Sequence, residues 1–186
     1  MPVAPLSALP PRTFAELNQK VYFLPTPPID LDAITVAELE AGIDVTCRLA
    51  SDGTSFRATE SDTIADGAIC EPAGAEVAGA SKYEATAVIY RFFSEDTPGT
   101  ADPEGDALFA ALRVKGSPGT FVIRHVNKRW DEPWAAGDEY SAFAVTSDNW
   151  QAMEDPKDGY IKATVPLMVG DAELNGVVAG ATAPDA

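Results

Sequence analysis

Residues 83–128 constrain the fold more than any other stretch. They read as a long strand, an acidic loop, one helix and a second long strand. The first strand, 83–93, carries Tyr83, Thr86, Val88, Ile89, Tyr90, Phe92 and Phe93, the β-branched and aromatic types that fit a pleated surface. The second, 120–126, runs Thr120, Phe121, Val122, Ile123, Arg124, His125, Val126. Both strands place apolar residues on both faces, the pattern of strands covered by two layers. Between them the sequence predicts a helix over 103–115. Asp102 stands at its cap, Pro103 suits the first turn, and Glu104 and Asp106 favour the positive end of the dipole. Leu108, Ala111, Leu112 and Lys115 fall on one stripe with Phe109 beside it. Arg113 and Lys115 occupy the last turn, and Gly116 ends it.

The rest of the chain reads as strands and turns. Thr35 with Glu38 three residues on makes a capping box for a two-turn helix, and Gly42 is expected as its left-handed stop. Residues 45–49 alternate, and Asp52-Gly53 predicts a hairpin turn into a partner strand over 55–59. Residues 61–81 form a long loop of small residues containing Cys70, and loops of this length are functional or mobile. Further strands are expected over 140–146, 160–169 and 174–178, with Gly170-Asp171 as a turn. Pro166 argues for an edge or a bulge in its strand. The sum is a mainly β (α+β) fold, a sandwich or barrel of about seven or eight strands around one packed helix.

Composition bounds the class. The 186 residues fit one domain, and 46% hydrophobic residues supply a core. Pro2, Pro5, Pro10, Pro11, Pro25, Pro27 and Pro28 set off residues 1–28 as an N-terminal arm. Within it, 13–19 suit a short helical turn and 20–24 a short strand; apolar arm residues such as Phe14 and Leu17 imply docking on this domain or a neighbour. Residues 29–179 form the main domain and 180–186 a tail. No apolar run matches a membrane span, and the start lacks the shape of a secretory signal. Cys47 and Cys70 do not make a disulfide scaffold; two reduced thiols are the default and a bridge the alternative.

The formal net charge is −16, which disfavours a nucleic-acid grip. Over the predicted strands, Arg48, Arg57, Arg91, Arg124, Lys128 and Lys162 outweigh Glu60, Glu84 and Glu139, leaving +3 there and −19 elsewhere. The acid therefore belongs to loops and element ends, where it serves solubility or faces a partner or passage.

No catalytic, cofactor-binding or metal-ligating residue is predicted. His125 lies alone in a strand beside Arg124, a structural setting more than a dyad. Gly116-Ser117-Pro118-Gly119 is a turn and not a nucleophile elbow. Asp102-Pro103-Glu104-Gly105-Asp106 lacks calcium-loop spacing, Asp30 and Asp32 lack a third ligand, and the cysteines lack zinc spacing. No phosphate-binding glycine motif is present. The basic-aromatic run Lys128-Arg129-Trp130 reads as a protein contact or a solvated loop.

The order of these pieces resembles the major tail, or tail tube, proteins of long-tailed bacteriophages, especially those infecting actinobacteria. The resemblance covers most of residues 20–179. It is carried by Lys20-Val21-Tyr22-Phe23-Leu24-Pro25, by residues 34–45, by Ile89-Tyr90-Arg91-Phe92-Phe93 with its acidic loop and helix, and by Gly119-Thr120-Phe121-Val122-Ile123-Arg124. Ala136-Gly137-Asp138-Glu139-Tyr140 and Lys162-Ala163-Thr164-Val165-Pro166-Leu167 complete it. The resemblance implies a structural virion protein without enzymatic activity or cofactor. Its subunits form hexameric rings that stack into a tube, with inner strands joined into one β-barrel and DNA crossing the lumen without specific binding. Implied partners are further copies of the chain and other tail proteins (tape measure, tail terminator, baseplate), with no membrane. The implied location is the virion tail, after assembly in the bacterial cytoplasm. Tail terminators, decoration proteins and type VI secretion tube proteins are the alternatives of the same β type. Acidic loops on one ring face are expected to meet Arg12, Lys20, Lys128 and Arg129 on the next.

Overall fold

The computed structural model describes residues 15, 17–64, 77–152 and 159–180. Among these residues ten strands and two short helices follow in the order β1 (Lys20–Leu24), α1 (Val36–Glu40), β2 (Ile43–Asp44), β3 (Ser55–Thr59), β4 (Thr63–Ile64), β5 (Val77–Ala78), β6 (Lys82–Tyr90), α2 (Ala107–Leu112), β7 (Pro118–Arg124), β8 (Glu139–Ser147), β9 (Gln151–Ala152) and β10 (Lys162–Val177). Eight strands form one antiparallel sheet in the order β2-β1-β7-β8-β10-β6-β3, with β9 also paired to β10; β4 and β5 make a separate hairpin. The mainly β class read from the sequence is the observed one.

One face of the sheet holds the larger core. Phe23, Phe121, Phe143, Ala87, Ile89 and Val165 pack there with Leu108, Phe109 and Leu112 of α2. Phe56 of the edge strand β3 reaches Phe121 and Phe143, at ring separations of 4.7 and 5.7 Å. The sheet therefore curls over this core. Residues 43–50 draw its two sides together. Val45 N–H bonds the Val21 carbonyl of β1, while Arg48 C=O and Ala50 N–H bond Tyr90 and Val88 of β6.

The opposite face is covered over half its width. Leu24, Ile34, Leu39, Val122, Trp134, Tyr140, Ala142 and Val178 form a second core around α1. The Tyr140 hydroxyl accepts from Ile34 N–H at 2.9 Å and donates to the Leu31 carbonyl at 2.8 Å. A buried phenol finds both partners this way, and the α1 segment is fixed to the sheet.

Several local expectations change. The helix is Ala107–Leu112 and not 103–115, because Asp102 caps a turn by accepting from Gly105 N–H and Asp106 turns to Arg91. The stripe Leu108, Phe109 and Leu112 is buried as read. The predicted hairpin of 45–49 with 55–59 does not form: β3 pairs with β6, and 45–49 is no strand but a linking segment with a Leu49–Ile89 bridge. Residues 162–177 make one sixteen-residue strand, and Gly170-Asp171 is a bulge instead of a turn. Pro166 carbonyl accepts from Asp148 N–H. In a strand a residue's nitrogen and carbonyl point the same way, so the missing N–H falls between β8 and β9, where no ladder bond is lost. The capping box of Thr35 and Glu38 forms as expected. Gly42 is not a left-handed stop: a Cβ there would lie 2.4 Å from Leu24 Cδ2, so its role is close approach. Part of the 61–81 loop is the β4–β5 hairpin. Cys70, Arg12, Phe14 and the tail 181–186 lie outside the described residues.

Candidate assembly surfaces

Three features shape the surface, and each rests on residues within the subunit. The first is the loop after β7. Arg124 closes β7 with a fully buried guanidinium. A buried cation is stable only when its donors are satisfied. Here Nη1 donates to the Glu132 and Pro133 carbonyls at 3.0 and 3.2 Å, and Nη2 to those of Lys128 and Arg129, so that Nε alone is without a partner among the described residues. Lys20 Nζ, also buried, reaches the same Glu132 carbonyl at 2.8 Å. Burial lowers the Lys20 pKa, with Asp44 acting against this. Two buried cations thus hold 128–133 in one shape and present Trp130 and Arg129 at the surface.

The second feature joins β6 to α2. Arg91 lies 3.7 Å from the Phe109 ring centroid and 5.2 Å from that of Phe93. Its guanidinium pairs with Asp106. Phe109 in turn meets the half-exposed Trp150 edge-on at 5.2 Å.

The third feature is the uncovered half of the sheet. Along β6 and β10, Ala85, Ala87, Ile89, Ala163, Val165 and Leu167 are buried in the core under α2. Their alternates Thr86, Val88, Thr164, Pro166 and Met168 have no such cover, and Met168 is 57% exposed. Register pairs Thr86 with both Ser55 and Pro166, and Val88 with Thr164, so these residues share one open face. Glu84 and Arg57 pair across the same face with a 2.7 Å ion pair. Among the described residues the edge of this half is β3, paired only with β6.

The predicted charge balance needs revision. In the described strands Lys20, Arg57, Lys82, Arg124 and Lys162 are matched by Asp44, Glu84, Glu139, Asp171 and Glu173, a balance of zero. Arg48, Arg91 and Lys128 fall outside strands, while the continuous β10 brings in Asp171 and Glu173. The ring-face cations also differ from expectation. Lys20 is buried, Lys128 is tied to Asp138, and Arg129 bonds Asp131 at 3.2 Å within the subunit.

His125 Nε2 lies 2.8 Å from Ser141 Oγ, and burial lowers its pKa against the opposing charge of Glu139. Among the described residues no cluster of three or more His, Cys, Asp or Glu is arranged to hold a metal. The Arg124 carbonyl cradle and the Arg91–Asp106 pair were not read from the sequence. Arginine within a strand was their only signal.

Every feature built so far serves shape, with rigid loops, a bare sheet half and an unpaired edge, as in a structural subunit that assembles through its surfaces. A profile of the family described as "Phage tail tube protein" matches residues 7–182, and the chain belongs to that family. It is a structural component of the phage virion and not an enzyme. No curated protein matches the chain. Among solved structures, a chain of the cryo-EM structure of the anti-feeding prophage baseplate is similar at 14% identity, over 85% of this chain and 92% of that one, with a TM-score of 0.43.

Proposed function

We propose that this subunit closes into hexameric rings, that the rings stack into the tail tube, and that the open half of the sheet faces the lumen through which DNA passes. The observation that carries this reading is the asymmetry of β10, β6 and β3: one face is buried under α2, while on the other Thr86, Val88, Thr164 and Pro166 are half-buried and Met168 is exposed. A bare sheet half with an unpaired edge is a liability in a monomer, and ring closure between copies removes the edge.

The chemistry of that face suits passage. Of its cations, Arg57 is held by Glu84, Lys82 by Asp62 at 2.6 Å, and Lys162 lies 5.4 Å from the Tyr90 ring centroid. Hydroxyls of Ser55, Thr86 and Thr164 supply polarity without charge. Asp171 and Glu173 add acid on β10. Such a wall repels phosphate weakly and binds it nowhere, so DNA slides. Partners in this reading are the same chain and other tail proteins, including tape measure, terminator and baseplate components. The site of action is the virion tail after assembly in the bacterial cytoplasm.

Electron microscopy of the purified protein, with and without a tail nucleus, is the test. Tubes of uniform diameter support the reading. Isolated rings that never stack point to a terminator or other ring component. A monomer that stays monomeric with the nucleus present overturns it.

A further inference from the structure

A cleft of about 500 Å³ opens between β1 and β3. Its floor is apolar: Val21, Leu49, Phe56 and Ile123, of which the first three are only partly buried although they pack on the main core. Gln19 and Ser141 stand on its wall. The flank of β3 that borders the cleft has no strand partner among the described residues. The sheet is thus curled but not filled at this point, and apolar side chains that belong to the core remain in contact with water. Covering them is favourable in proportion to the apolar area removed.

The chain itself supplies a cover at the right place. Asn18 N–H bonds the Ala15 carbonyl at 3.1 Å, closing a four-residue turn just before β1. The turn is fixed: Leu17 adopts a φ of +64°, and its carbonyl accepts from Trp130 N–H at 2.9 Å. A turn of this kind reverses the chain, and β1, which follows it, flanks the cleft. Fourteen residues precede Ala15, and in extended form they span roughly 45 Å, more than enough to cross it.

The sequence of that segment fits an apolar slot. Val3, Leu6 and Leu9 recur every third residue among Pro2, Pro5, Pro10 and Pro11. A polyproline II helix has three residues per turn, so this spacing puts all three on one edge. Proline-rich segments bind grooves in this form at low entropic cost. Because the segment is tethered at the mouth, its effective concentration is in the millimolar range, far above that of another copy in dilute solution.

We propose that residues 2–11 of the chain dock in the cleft of their own subunit, with Leu6 and Leu9 over Phe56 and Leu49. The occupied cleft completes the core beneath β3 and holds the edge strand in place.

Site-specific photo-cross-linking of the full chain tests this. Leu6→benzoylphenylalanine is irradiated, and the attachment sites are mapped by mass spectrometry on a mixture of isotope-labelled and unlabelled protein. The expected result is attachment at Val21, Leu49, Phe56 or Ile123 within one chain, with loss of most of that product in Phe56→Asp. A chain carrying the probe at Val114, exposed and near α2, controls for random capture and should not label the cleft. Attachment elsewhere, attachment mainly between labelled and unlabelled chains, or a yield unchanged by Phe56→Asp overturns the proposal. The readout is the same whether the protein is monomeric, ringed or tubular, so it does not depend on tube formation.

Discussion

Arg91 meets Asp106 with two nearly parallel contacts, Nε to Oδ1 at 2.8 Å and Nη2 to Oδ2 at 2.9 Å, and the same carboxylate accepts from Phe92 N–H at 3.3 Å. Asp106 is almost fully buried. The pair joins the end of β6 to the start of α2. Removing one partner of such a pair strands the other charge, at about 3–5 kcal/mol. Asp106→Ala is expected to lower the unfolding free energy by that order in a urea titration, with an unchanged slope. Removing both charges together, as Arg91→Met/Asp106→Leu, is expected to cost less than Asp106→Ala alone.

Arg124 sets the shape of the loop after β7. Arg124→Met leaves the carbonyls of Lys128 and Pro133 without their donor, while that of Glu132 keeps Lys20 Nζ and that of Arg129 keeps Glu132 N–H. Each buried carbonyl so left costs about 1–3 kcal/mol, less where water enters. A net loss near 3 kcal/mol and faster amide exchange over 128–133 are expected. Arg124→Lys should recover only part, because a single ammonium cannot reach carbonyls on two sides.

Gly176 is required by Tyr140. A Cβ at Gly176 would lie 2.3 Å from the Tyr140 ring. That ring carries the hydroxyl that fixes α1, so it cannot retreat without breaking the bonds to Ile34 and Leu31. Gly176→Ala is expected to cost about 1–3 kcal/mol by overpacking. The double variant Gly176→Ala/Tyr140→Phe should not restore the loss, since the clash is with the ring and not the hydroxyl alone.

Glu38 makes stability depend on acid. Burial raises its pKa, but bonds from Ile29 N–H, Thr35 N–H and the Thr35 hydroxyl outweigh this and hold it below the ordinary value of 4.5. A carboxylate with a depressed folded pKa contributes fully above its unfolded value and loses that contribution as pH falls through the folded one. Glu38→Ala should therefore cost about 1 kcal/mol at neutral pH. The gap between wild type and variant should close below pH 4.5 in the same titration.

Leu112 is fully buried under the sheet. Leu112→Asp places a carboxylate in the main core, and a loss above about 4 kcal/mol is expected. Circular dichroism should show loss of the fold, and electron microscopy no tubes. A folded Leu112→Asp protein that still forms tubes would contradict the packing of α2.

The sequence carried the fold class because strand signals are local. The β-branched run 83–90 and the alternation 163–169 each specify a strand without reference to the rest, and the capping box at Thr35 is complete within four residues. What it did not carry is pairing. Asp52-Gly53 marks a turn, but the strand that follows prefers β6, where Phe56 reaches Phe121 and Phe143. The helix shortened for a similar reason. Asp106 reads as a residue favouring a helix start until Arg91, fifteen positions earlier, claims it. The open sheet face was legible in part: Thr86, Thr164 and Met168 alternate with apolar residues, but only the register puts them side by side.

Among the described strands, the last in chain order lies inside the sheet and not at its edge. β10 lies between β8 and β6, and Val178 N–H bonds Asp138 beyond it. Without residues 162–177 no strand pairing joins the β6–β3 ladder to β8, and the two sides of the sheet meet only through residues 43–50 and the packing of Phe56 on Phe121 and Phe143. A chain short of β10 thus holds two pieces of sheet with no ladder between them. Domains fold as units once their sequence is available, and here availability comes with the final strand.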